Sequence, residues 1–122
     1  MADIVYLVQD MLFTSKIRET AKSFGLTVQS VRDPAALVQG AGSADAKLVI
    51  VDLRLPIALD ALSALAADPT ASAVPSVGFI DHEKTDLMDV AATRGCGQVM
   101  AKGQFANGLP RLIGALVPPP AA

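Results

Sequence analysis

The chain has 122 residues, 52% of them apolar, which suits one domain with a real core and argues against disorder of the whole. A net charge of −2 argues against a dedicated nucleic-acid surface, and no apolar run approaches the roughly 18 residues of a membrane helix. A single cysteine, Cys96, excludes an internal disulfide and fits a reducing cytoplasm; with His82 the sole histidine, composition argues against a Cys/His zinc site made within one chain.

The first apolar run, Ile4–Val8, is too short for a leader and has no basic residues before it, so it reads as a strand. A helical segment follows, with Ile17, Ala21 and Phe24 spaced i, i+4, i+7 and Gly25 as its stop. Thr27–Val31 reads as the second strand. Asp33 and Pro34 then open a helix as N-cap and first helical residue, Ala35 to Gln39 continue it, and Gly40 ends it.

The third strand, Leu48–Val51, is a continuous apolar run that ends on Asp52 and is followed closely by Pro56. Such a run is typical of a strand buried on both faces of a parallel sheet. A helix over about Ala58 to Ala67 places Leu59, Leu62 and Ala66 on one face, and Asp68-Pro69 ends it. Val77–Ile80 is the fourth strand. The next helix covers about Thr85 to Arg94, with Leu87, Val90, Ala91 and Arg94 on one face and Gly95 at its end. Gln98–Ala101 is the fifth strand. The last helix covers about Phe105 to Val117, turns Phe105, Leu109, Leu112 and Leu116 inward, and contains Pro110 as a kink or late start. Residues 1–117 form one domain, and residues 118–122, rich in proline, form a tail or linker stub.

Strands alternating with helices imply right-handed crossovers and an α/β fold. For five units the doubly wound order 2-1-3-4-5 is the common solution, with chemistry at the carboxyl ends of the strands. That order brings Asp10, after the first strand, beside Asp52, at the end of the third.

The string Val51-Asp52-Leu53-Arg54-Leu55-Pro56, with Asp10 before it and Lys102 after the fifth strand, resembles the receiver domains of two-component response regulators over nearly the whole chain. The resemblance implies the flavodoxin-like receiver fold and a signalling module rather than an enzyme. It implies Asp52 as phospho-acceptor, Lys102 pairing with a phosphoryl oxygen, and Mg2+ held by Asp10, Asp52 and the carbonyl of Arg54, with Gln9 reaching it through water. Its partners would be a histidine kinase or a downstream target, meeting the fourth helix, fifth strand and fifth helix of a cytoplasmic monomer or weak homodimer.

The chain also departs from the family pattern. Gln9 replaces the first acid of the pair, which weakens metal affinity. The hydroxyl position falls on Ile80, or on Asp81 if the register slips, and Asp81 would repel a phosphoryl group. The aromatic position is Val99, the usual Lys-Pro reads Lys102-Gly103, and Ile57–Ala61 lacks the expected glycine. The alternative reading is therefore a pseudo-receiver that binds partners without phosphorylation.

Plainer roles stand beside each of these. Asp52 would be a strand-end cap, Lys102 a metal-free partner of Asp52, and Arg54 a solvated loop residue or a cation lying over the acids in the metal's place. Met11 would pack, Cys96 would fill a turn between Gly95 and Gly97, and His82 would be exposed. A flavin or nucleotide binder needs a phosphate-cradling loop after the first strand, and Gln9–Ser15 has hydroxyls but no glycine.

Overall fold

Successive residues of a strand point to opposite faces, so the apolar runs supply two cores, one on each side of the sheet. A computed structural model describes residues 2–43, 45–81 and 83–117; His82 and the tail of residues 118–122 lie outside them. The elements are β1 Ile4–Leu7, α1 Met11–Ser23, β2 Val28–Ser30, α2 Pro34–Ala41, β3 Leu48–Asp52, α3 Ala58–Ala67, a 3-10 turn Ala71–Ala73, β4 Ser76–Ile80, α4 Thr85–Thr93, β5 Gln98–Ala101 and α5 Lys102–Gly114. All strand pairs are parallel and the order is β2-β1-β3-β4-β5, as expected from the alternation.

On one side Ile4, Tyr6, Ile50 and Phe79 pack with Phe13 and Ile17 of α1 and with Phe105, Leu109 and Ile113 of α5. On the other side Val5, Leu7, Val49, Val51 and Ile80 pack with Leu37 of α2, Leu62 of α3 and Ala91 of α4. Local signals close several helices as their chemistry requires. Asp33 accepts from the Ala36 N–H at 2.7 Å, and Gly25 and Gly95 take φ of 73° and 97° just beyond α1 and α4. Among the described residues, no helix is long and apolar enough to cross a membrane.

Four local expectations are corrected. α2 runs through Gly40 to Ala41, because Gly40 is buried where α2 crosses β1 and a Cβ there would lie 3.0 Å from Val5 Cγ1. In α3 the buried residues are Ala58, Ala61, Leu62 and Leu65, while Ala66 is exposed. A helix this apolar all round does not announce which way it is turned. α4 buries only Ala91 fully, leaving Val90 38% exposed and Arg94 donating to Ser63 Oγ at 2.9 Å. α5 starts directly at Lys102, where Gln104 Oε1 accepts the Ala101 N–H at 3.1 Å; it buries Ile113 fully, while Leu112 and Leu116 pack half-buried against the same core.

Candidate functional site

The register fixes the site. Leu7 is level with Val51 across β1 and β3, so the turn after β1 lies beside the end of β3. Asp52 has the same facing as Ile50 and lies level with Phe79 of β4, so its side chain points to the α1–α5 side. Asp10 is the N-cap of α1: its Oδ1 accepts the N–H groups of Leu12 at 2.9 Å and Phe13 at 3.3 Å.

Between the two acids lies the guanidinium of Arg54. Its Nε donates to Asp52 Oδ1 at 2.8 Å and its Nη2 to Asp52 Oδ2 at 2.8 Å, a two-pronged pair. Nη2 also reaches Asp10 Oδ2 at 3.3 Å, and the Arg54 backbone N–H donates to Asp52 Oδ1 at 3.0 Å. Asp52 is nearly sealed, its side chain 3% exposed, whereas those of Arg54 and Asp10 are 27% and 35% exposed.

The floor under the guanidinium is aromatic. The Arg54 Cζ lies 5.3 Å from the Phe13 ring centre and 5.5 Å from that of Phe79. Phe79 in turn stacks on Phe105 at 4.4 Å. A cation over two ring faces gains from their quadrupoles, and the apolar floor strengthens its attraction to the acids. Hydrogen bonds to Asp52 hold the guanidinium more firmly protonated than usual. The Phe13 and Leu12 N–H groups, helped by Arg54, hold the Asp10 carboxyl below the usual carboxylate value.

Lys102 turns to a different acid. Its Nζ is 3.0 Å from Asp81 Oδ1, with the two side chains 50% and 40% exposed. The metal-free Lys102–Asp52 pair expected from the sequence is thus replaced by Lys102–Asp81. The reason is register: Ile80 and Ala101 are level, so Asp81 and Lys102 are the first residues past two adjacent parallel strands. The sequence places Asp81 just past β4 and Lys102 just past β5, and the register that sets them side by side comes from the fold. Lys102 holds the Asp81 carboxyl below its usual value.

The remaining candidates separate from this cluster. Ile80 is buried in the core under α2, α3 and α4, and Val99 packs half-buried on the same side. Gln9 is exposed. Met11, expected to pack, is 84% exposed, since α1 turns Phe13 inward in its place. Cys96 fills the turn between Gly95 and Gly97, as expected, and is buried there; its thiol donates to the Gln98 carbonyl at 3.3 Å, and burial pushes its pKa up.

The expected magnesium set is Asp10, Asp52 and the Arg54 carbonyl, with Gln9 behind a water. The residues present do not fit it, because each of the four oxygens of Asp10 and Asp52 already accepts an N–H donor. Among the described residues, no group of three or more His, Cys, Asp or Glu side chains converges as a metal site. Arg54 thus takes the alternative place, over the acids, and the Phe13–Phe79 floor beneath it has no local signal in the sequence.

No family model matches the chain, and no curated protein matches it. Solved structures do. The receiver domain of a sensor histidine kinase from Pseudomonas aeruginosa, which has magnesium coordinated in its active-site cleft, aligns with a TM-score of 0.76 at 19% identity over 94% of this chain and 96% of its own. A response regulator receiver domain from Rhodospirillum rubrum aligns at 0.73 and 20% identity over 96% of each chain. A chemotaxis response regulator of Vibrio cholerae aligns at 0.77 and 13% identity, over 96% of this chain and 99% of its own. At these identities the likeness is one of fold, and the fold is that of receiver domains.

Proposed function

We propose that the chain is a receiver-type module of two-component signalling that works by protein–protein contact and does not need phosphorylation of Asp52. The observation that carries this reading is the state of the crevice rim. Lys102, the residue that would meet a phosphoryl oxygen, is engaged by the carboxylate of Asp81 at 3.0 Å. The residue at the hydroxyl position, Ile80, is buried on the opposite side of the sheet from Asp52, so no side chain there is placed to sense a change at the acid. Val99 supplies no aromatic ring to reorient.

The contact surface in this reading is the α4–β5–α5 face. α4 is lightly buried there and leaves Val90 exposed. Between β5 and α5 a groove of about 400 Å³ is lined by Gln98, Met100, Asn107, Gly108, Arg111 and Leu112. Its mixed apolar, amide and cationic lining suits a protein partner, either a histidine kinase or a downstream target. The module is not an enzyme in this reading, and it acts in the cytoplasm as a monomer or weak homodimer.

A second reading keeps Asp52 as a phospho-acceptor. It is favoured by the placement of Asp10, Asp52 and Lys102 around one strand-end crevice, and it requires Arg54 to leave. Intact-mass spectrometry after incubation with acetyl phosphate and magnesium separates the two, with Asp52→Asn as control. The expected result is no added phosphoryl mass. A gain of one phosphoryl group that the Asn variant lacks would replace the first reading with the second.

A further inference from the structure

We infer that Arg54 is the resident cation of the acid crevice, and that it excludes divalent metal from a site its removal would open. Two carboxylates at the end of a parallel sheet ordinarily need a counter-charge. Here the chain supplies one from the residue two places after Asp52. The guanidinium makes three of its contacts with planar geometry suited to carboxylate: Nε and Nη2 on the two oxygens of Asp52, at 2.8 Å each, and Nη2 on Asp10 at 3.3 Å.

A magnesium ion would use the same oxygens. It demands near-octahedral oxygen ligands and gives up its water reluctantly. To enter, it must strip Arg54 from both acids and lift it off the Phe13 and Phe79 rings. It must also compete with backbone donors: Asp10 Oδ1 is committed to the first turn of α1, and Asp52 Oδ1 also takes the Arg54 N–H. Gln9 brings no charge to offset these losses. The tethered guanidinium, by contrast, loses no translational freedom on closing the site. Arg54 therefore outcompetes the ion, and the fold's stability is independent of divalent metal.

The inference deepens the function proposed above by naming what closes the crevice. Its test reads cation binding alone, so it can fail while the partner-contact reading holds, and the reverse. Thermal unfolding of the wild type, Arg54→Ala and Arg54→Met is followed with MgCl2 or MnCl2, at ionic strength matched with NaCl. Methionine keeps an apolar stem over the phenylalanine floor, so it covers the case in which the alanine variant does not fold.

The wild type should show no metal-specific shift. A folded variant should gain roughly 5 °C once the ion exceeds its Kd about tenfold. The wild type alone supplies a second measurement: Mn2+ should not selectively broaden the backbone amide resonances around Asp10 and Asp52. A metal-specific shift or broadening in the wild type would overturn the inference, as would folded Arg54 variants indifferent to both ions.

Discussion

Asp52→Asn should destabilise this protein by about 2–3 kcal/mol, opposite in sign to what two unneutralised acids would give. The side chains are isosteric, so the change isolates charge and donor pattern. Asp52 accepts from Arg54 N, Nε and Nη2, at 3.0, 2.8 and 2.8 Å. An asparagine can turn its carbonyl to the first two donors only, and its NH2 then faces Nη2, donor against donor. Arg54 keeps one carboxylate contact, at 3.3 Å to Asp10.

Breaking a fully buried pair by removing one partner costs about 3–5 kcal/mol. Arg54 is 27% exposed and can turn toward water, which places the loss at the lower end of that range or below it, about 2–3 kcal/mol. For a domain of this size that lowers the midpoint of thermal unfolding by roughly 8–12 °C. Urea unfolding followed by circular dichroism gives the free energy directly, and a double-mutant cycle with Arg54→Met isolates the pair. The coupling should exceed about 1 kcal/mol. An Asn variant as stable as the wild type, or more stable, would refute the reasoning, because relief of acid–acid repulsion is what a crevice without Arg54 predicts.

Four further outcomes are expected. Lys102→Ala and Asp81→Asn should couple only weakly in a double-mutant cycle, as exposed pairs do, and the coupling should fade at high salt. Lys102→Ala and Asp52→Asn should be additive, and coupling between them would return the lysine to Asp52. Asp3, Asp10 and Asp81 all hold carboxyl pKa values below the usual one, led respectively by the Thr27 N–H, the Phe13 N–H and Lys102. The unfolded chain therefore binds more protons in acid, so their stabilisation is complete above the unfolded value of about 3.9 and is lost as pH falls through the lower folded values. A stability–pH curve should accordingly steepen below about pH 4 and flatten in that region in Asp10→Asn or Asp81→Asn; variants that keep the wild-type slope would exclude these carboxyls. Gly78→Ala would place a Cβ 2.9 Å from Leu53 Cδ1 in the core just past Asp52, and should cost about 1–3 kcal/mol in urea titration. No loss there would show that Leu53 can move aside freely.

Much of this architecture follows from local chemistry. The apolar run into Asp52, the caps at Asp33, Gly25 and Gly95, and the regular alternation of periods determined five parallel strands and their order. Once that order holds, Asp10 and Asp52 must meet, because the switch point lies between β1 and β3. Those signals are short-range, and each agrees with the fold it serves.

Rotation and rotamer choice were not legible in the same way. α3 is apolar on nearly every side, so only its packing against β3 and α2 decided that Leu65 is buried and Ala66 is not. The destination of Arg54 depends on a competition between water and a site assembled from β1, β3, β4 and α1. The sequence supplied its distance from Asp52, two residues, and nothing about the Phe13–Phe79 floor that receives it. Lys102 met the same uncertainty: its placement after β5 was clear, and the choice between Asp52 and Asp81 was settled by the register of β4 against β5. Spacing along the chain determined which charges share the crevice, and only the folded surfaces decided which of them pair, because long cationic side chains span several acids within reach and the desolvation of each differs.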